Sequence, residues 1–243
     1  MWVVAKYHMV SLFSLKLSAA TGSGAKSLLV PTPYAFKMAL LDAACRTLNV
    51  RWAEMIWPTI RDARIALNPS AAIMVTNLFT KFWRPWEFKG KAEDKVAAVV
   101  EARTEGKYPF QSTIAFREYV QHDGPLGVAF DVEQSQVTVF MDLLLQINYL
   151  GKRGSFIQLQ ALPERSEQLP EDYLPIDDNQ AQFNLYGVIQ MLDDCGPTLT
   201  FNRANIYSGE RVTVGKERII RHVVLPYRLA RSSKSFSLYE RIE

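Results

Sequence analysis

WVVAKYHMVSLFSLKL (residues 2–17), SAATGSGAKSLLVPTP (18–33) and YAFKMALLDAACRTL (34–48) run consecutively at the start of this 243-residue chain. The first piece mixes β-branched, aromatic and apolar residues and predicts a long strand. Ala19–Lys26 is small and glycine-rich, hence a loop. Pro33 suits the first turn of a helix, where a missing N–H costs nothing. An alanine- and leucine-rich helix is then predicted from Tyr34 to Leu48. A second helical stretch, Arg51–Ala63, is interrupted at Pro58. Further on, Ala71–Phe82 has the composition of a buried strand. Thr113–Val120 and Leu126–Val132 read as a hairpin across His122-Asp123-Gly124-Pro125. Ser135–Tyr149 is an amphipathic helix ended by Gly151, and Phe156–Leu162 is a strand. The order strand, helix, strand, strand hairpin, helix, strand is that of the α+β, ferredoxin-like fold.

Three segments follow from this reading. Residues 1–162 form the ferredoxin-like domain, with an excursion inserted at about 83–111. Residues 163–184 are an acidic, proline-bearing connector. Residues 185–243 are a β-rich C-terminal region with turns at Gly196-Pro197, Ser208-Gly209 and Val214-Gly215. The excursion opens with the unusual run WRPW (83–86).

Composition excludes several classes. A hydrophobic share of 48% with 12% aromatics excludes wholesale disorder. No apolar run approaches the ~20 uncharged residues of a membrane helix. Met1–Leu17 carries Lys6, His8 and Lys16 and no small-residue cleavage site, so it does not read as a signal peptide. Two cysteines, Cys45 and Cys195, make neither a disulfide framework nor a zinc site, and a reducing cytoplasm is expected. The net charge of +3 looks too even for a nucleic-acid binder, but it hides an asymmetry. Residues 1–80 and 196–243 each carry net +5 and residues 81–107 net +2. Residues 108–159 carry −2 and residues 160–195 carry −7. The basic regions fit either ordinary solvated faces or a polyanion site.

Motifs for catalysis are absent. There is no HExxH, no CxxC and no nucleophile elbow. Ala25 separates Gly24 from Lys26, which breaks the phosphate-loop pattern. No cofactor or metal is implied. His8 reads as a sheet residue, His122 as a solvated turn residue and His222 as a strand residue among arginines. What is present suits a polyanion. Gly22, Gly24 and Lys26 offer backbone N–H groups and a cation just after a strand. Lys81, Arg84, Lys89, Lys91 and Lys95 interleave with Phe82, Trp83, Trp86 and Phe88, as in proteins that stack exposed bases on rings. The other reading of that stretch is an excursion anchored by its own tryptophans. Lys152 and Arg153 follow a helix C-terminus, where they also complement its dipole. Arg211, Lys216 and Arg218 begin a basic tail.

Taken in order, the long first strand, AATGSGAK (19–26) and VPTPYAFKMALLDAA (30–44) resemble the N-terminus of the fifth CRISPR-associated protein family. LGKRGSFIQL (150–159) is similar to that family's second recurring feature, and STIAFREYV (112–120) also suits it. These are the handle-binding subunits of type I Cascade, in the RAMP superfamily. The resemblance covers most of residues 1–160. It implies an RRM-like body with a thumb inserted between its second and third strands, at the place of the excursion. It implies a non-catalytic subunit that caps the 5′ handle of CRISPR RNA and docks the backbone subunit and the large subunit for RNA-guided DNA targeting. On this resemblance Lys26 and its glycines approach handle phosphates, Lys152 and Arg153 contribute at the second motif, and Trp83, Arg84 and Trp86 stand at the thumb base. One branch of the family cleaves repeat RNA with a tyrosine, lysine and histidine cluster. Tyr34, Lys37 and His222 are the residues available for it here, with no motif behind the choice. A metal-independent endoribonuclease and a ferredoxin-like protein-interaction module unrelated to CRISPR stand as alternatives.

Overall fold

The computed structural model describes residues 1–17, 26–152, 154–176 and 186–242, without the side chain of Ala115. Strand β1 (Trp2–Met9) leads to helices α1 (Pro33–Thr47) and α2 (Val50–Asp62), then to β2 (Arg64–Asn68) and β3 (Ala72–Pro85). Helix α3 (Lys95–Thr104) precedes β4 (Phe110–Asp123) and β5 (Leu126–Asp131). Next come α4 (Val137–Leu145), β6 (Ile157–Leu159), β7 (Glu164–Ser166), β8 (Leu174–Pro175) and β9 (Val188–Cys195). The chain closes with α5 (Phe201–Ala204), β10 (Arg218–Leu225), β11 (Tyr227–Ser232) and β12 (Phe236–Arg241).

The central sheet runs β6–β1–β5–β2–β8. β5 is antiparallel to both β1 and β2, and β6 is antiparallel to β1. Counting only β1, β2, β5 and β6, this is the fourth–first–third–second order of the ferredoxin-like fold. Alternation along the strands sorts the residues. Val3, Ala5 and Tyr7 join Ile65, Leu67, Val128 and Phe130 in the main core, under Phe36 and Leu40 of α1 and Phe140 and Leu144 of α4. The Tyr7 hydroxyl donates to the Leu144 carbonyl at 2.7 Å, so its burial strands no polar atom. Helix α1 begins where the prolines predict. The Thr32 hydroxyl accepts from Ala35 N–H at 3.1 Å, with Pro33 in the first turn.

The opposite sheet face carries small residues, Val4, Ala66 and Ala129, and Tyr173 packs over them with Trp2 and Leu169. A Cβ on Gly127 would come within 2.4 Å of the Tyr173 hydroxyl, so glycine admits that ring. RRM proteins offer bases an open sheet face; here the 164–175 segment covers it. That segment also bonds to the sheet, β7 along β1 and β8 along β2.

Two differences from the sequence reading stand out. The second strand of the ferredoxin-like order is RIALN (64–68), not Ala71–Phe82. It follows α2 with a single residue between, Ala63, and five residues after a helix carry no period of their own. Pro58 does not interrupt α2, because it sits on the solvent side while Ala53, Ile56, Trp57 and Ile60 face inward. Nor do β4 and β5 pair as a hairpin. β4 pairs along its whole length with β3, from Ala72↔Asp123 to Pro85↔Phe110, and β5 enters the central sheet. The turn at Gly124, with φ of +98°, therefore passes the chain between sheets.

The excursion at 83–111 is the distal part of this β3–β4 ribbon. β12 pairs with Ala72–Thr76 of β3, and β11 pairs with β12, so a four-stranded sheet supports only the ribbon's root. Arg241 fastens that root to the end of β2, donating to Asn68 Oδ1 at 2.5 Å and to the Pro69 carbonyl at 3.0 Å. The β9–β10 hairpin packs against α1.

Candidate nucleic-acid interface

Beyond Met9 the chain leaves the central sheet and crosses to β4. Phe13 and Val120 exchange backbone hydrogen bonds at 3.1 and 2.8 Å. Lys16 then bridges Ser27, and Leu28 N–H donates to the Leu15 carbonyl at 2.7 Å. Both ends of the 18–25 loop are thus held against β4. Ser27 N–H donates to Glu118 Oε2 at 2.6 Å, which fixes the backbone beside the exposed Lys26.

The second motif meets the same place. Ser11 Oγ donates to the Gly154 carbonyl at 2.7 Å and accepts from Phe156 N–H at 2.7 Å. Residues 150–155 close a tight loop, with Leu150 N–H donating to Ser155 O at 3.1 Å. Gly151 takes φ of +71°, and a Cβ there would meet Leu15 Cδ2 at 2.5 Å, so both its conformation and its neighbour require glycine. This loop carries Lys152 to the neighbourhood of Arg117 on β4 and Lys16. The ammonium of Lys152 is held below its usual range, first by burial and then by repulsion from Arg117 and Lys16. Among the described residues neither Arg117 nor Lys152 pairs with a carboxylate. Segments distant in sequence thus bring Lys152 close to two cations that repel it, which is what a bound anion relieves.

The β3–β4 ribbon has two unlike faces. Register pairs Phe79 with Phe116, Lys81 with Ile114, Trp83 with Ser112 and Pro85 with Phe110, which gathers four aromatic residues and Lys81 on one face. Phe79 and Phe116 meet edge to face at 4.9 Å and are each more than half exposed, and Trp83 is 65% exposed. The other face carries Leu78, Phe82 and Arg84 with Arg117. Trp86 lies past the ribbon. Its ring stacks on Phe88 and meets Tyr108 edge-on, so it anchors the segment that holds α3.

The remaining candidates lie elsewhere. Arg211 and Lys216 are exposed in the loop between α5 and β10. Arg218 turns inward, pairing with buried Asp193 and lying 4.1 Å from the centre of the Tyr34 ring. Gly22, Gly24 and Arg153 lie outside the described residues. Of the tyrosine, lysine and histidine available for cleavage, Lys37 is buried in an ion pair with Asp194 at 2.6 Å, Tyr34 lies beneath Arg218, and His222 is exposed on β10. His122 is not solvated: it is buried against Phe13. Among the described residues no group of His, Cys, Asp or Glu is arranged to hold a metal ion, and no helix is long and apolar enough to cross a membrane.

Lys16 and Arg117 are the functional candidates the motifs did not single out. Each sits in a stretch that reads as a strand, and only the crossing at Phe13–Val120 brings them together. The available signal was Arg117 within STIAFREYV, the one basic residue of that strand segment.

No protein-family model matches the chain. CRISPR-associated protein Cas5 from Archaeoglobus fulgidus is 24% identical over 213 residues, which is 86% of this chain and 86% of that protein. The chain is a homologue of Cas5. Among solved structures, a CRISPR protein from Archaeoglobus fulgidus aligns with a TM-score of 0.47 at 11% identity, over 100% of this chain and 92% of that one. A chain of a CRISPR RNA-guided surveillance complex aligns with a TM-score of 0.44 at 14% identity, over 92% and 90%.

Proposed function

We propose that this Cas5 homologue is a non-catalytic, cytoplasmic subunit of a Cascade-like CRISPR effector complex, where it holds the 5′ handle of the CRISPR RNA and docks the backbone and large subunits. The observation that carries the RNA reading is the convergence of Lys16, Arg117 and Lys152 with no carboxylate paired to the latter two. Arg117 and Lys152, held close without a paired carboxylate, suit a phosphate backbone. The closed outer face of the central sheet directs the strand to the loops and the ribbon instead. Exposed Lys26 and the cationic ribbon face with Arg84 extend the track.

Co-expression with its genomic neighbours tests the reading. The purified protein carries a discrete small RNA, and the Arg117→Glu, Lys152→Glu double variant loses it. Purification of the wild type free of RNA would sink the proposal. Incubating the pure protein with repeat RNA in EDTA tests the non-catalytic part. Intact RNA is expected, and cleavage assigns it to the endoribonuclease branch.

A further inference from the structure

Beside the cation cluster lies a cleft of about 610 Å³, mostly apolar, between α1 and the segment after α5. Four rings stand among its largely aliphatic lining: Tyr34 on α1, Tyr149 beyond α4, Phe201 on α5 and Tyr207 after it. The Tyr34 ring packs against Arg218, which buried Asp193 holds in turn, and both of these charged groups also line the cleft. Tyr207 stands 86% exposed on the lip, a large ring left in water. Asp42 and Asn205 add hydrogen-bonding groups to the apolar lining. Leu15 and Lys16 belong to both places, since they line the cleft and Lys16 repels Lys152 across the cluster.

We infer that this cleft receives one unstacked nucleobase of the RNA whose phosphates the neighbouring cations hold. The inference rests on the RNA reading and adds a specific base subsite to it. Continuity selects this occupant: Leu15 and Lys16 join the cleft to the cation cluster, and rings with a few polar groups stand in its lining, as a nucleotide with its phosphate outside requires. Stacking on a tyrosine ring tolerates any base, so the subsite fixes strand position before base identity.

The test uses the full chain and a short single-stranded RNA carrying 2-aminopurine at each position in turn. One position is quenched on binding. Tyr207→Ala removes a lip ring that packs on nothing essential, and Met38→Trp fills the cleft. Each is expected to relieve the quenching and weaken binding about tenfold. RNA made abasic at that position binds wild type and variants alike. If both variants retain quenching and affinity while Arg117→Glu, Lys152→Glu abolishes binding, the subsite falls and the RNA reading stands. If the variants bind RNA normally but lose a protein subunit of the assembled complex, the cleft belongs to that subunit and the inference is overturned. If the wild type binds no RNA, both fall together.

Discussion

His122 holds its ring inside the protein, with Nε2 3.0 Å from the Leu29 carbonyl and Nδ1 2.9 Å from Ser70 Oγ. The carbonyl can only accept, so Nε2 carries the proton in the neutral ring. Burial lowers the pKa to about 4. An unfolded histidine titrates near ~6.5, so the unfolded chain binds a proton first as pH falls. His122 thus costs no stability above about pH 6.5, and its contribution declines by roughly 3 kcal/mol as pH falls towards 4. Urea unfolding of wild type and His122→Gln at a series of pH values measures this. The stability difference between the two narrows on acidification, and a difference constant with pH would exclude the mechanism. Lys37 illustrates a related point. Its ammonium and Arg221 flank Asp194, which also accepts Cys195 N–H at 2.7 Å. A lysine in mid-helix reads as solvated until β9 supplies its partner.

At the scale of elements, the β3–β4 ribbon is the unusual feature. Its root lies in a four-stranded sheet, but from Leu78 to Pro85 it is a bare pair of strands with large apolar groups exposed. Two strands alone are marginal in water. Amides from Leu78 to Arg84 are therefore expected to exchange with solvent at least tenfold faster than those of Ile73–Val75, and to slow when the complex assembles. Hydrogen-exchange mass spectrometry reads both. Equal protection along the strand in the free protein would show that the distal part stands by itself. Helix α1 was legible from its prolines and composition, α4 from its apolar spacing and β1 from its β-branched and aromatic content. Their ends were not: β1 stops at Met9 rather than Leu17, and α4 stops at Leu145, with Gln146 and not Gly151 at its C-terminus. β2 was not, because five residues give no usable period. The pairing of β4 with β3 was not legible either, because Gly124-Pro125 marks a turn without saying which sheets it joins.

At the scale of the molecule, charge is arranged by place. The acidic stretch begins with β7, which pairs with Trp2–Val4 at the start of β1. The cations gather beyond the other end of that strand. Asp193 and Asp194, from the same acidic stretch, are buried and matched by Arg218, Lys37 and Arg221. Those two carboxylates are thus engaged by their own partners, and RNA affinity is expected to fall steeply with salt. Neutralising Arg117 and Lys152 to alanine reduces the slope of log affinity against log salt by about 1.4, at ~0.7 per phosphate contact. Fluorescence anisotropy over a salt series measures it. An unchanged slope would place the phosphate contacts elsewhere.

The sequence by itself determined the ferredoxin-like body and the helices that cover its sheet, because local chemistry writes strand composition, helix starts and apolar spacing directly into the chain. The tertiary structure alone decided which cations meet. Lys16, Arg117 and Lys152 are far apart in sequence and silent individually. They become a site because the Phe13–Val120 crossing and the Ser11–Gly154 hydrogen bond draw three segments onto one strand. Electrostatic repulsion depends on distance in space, which neither composition nor segment charge contains.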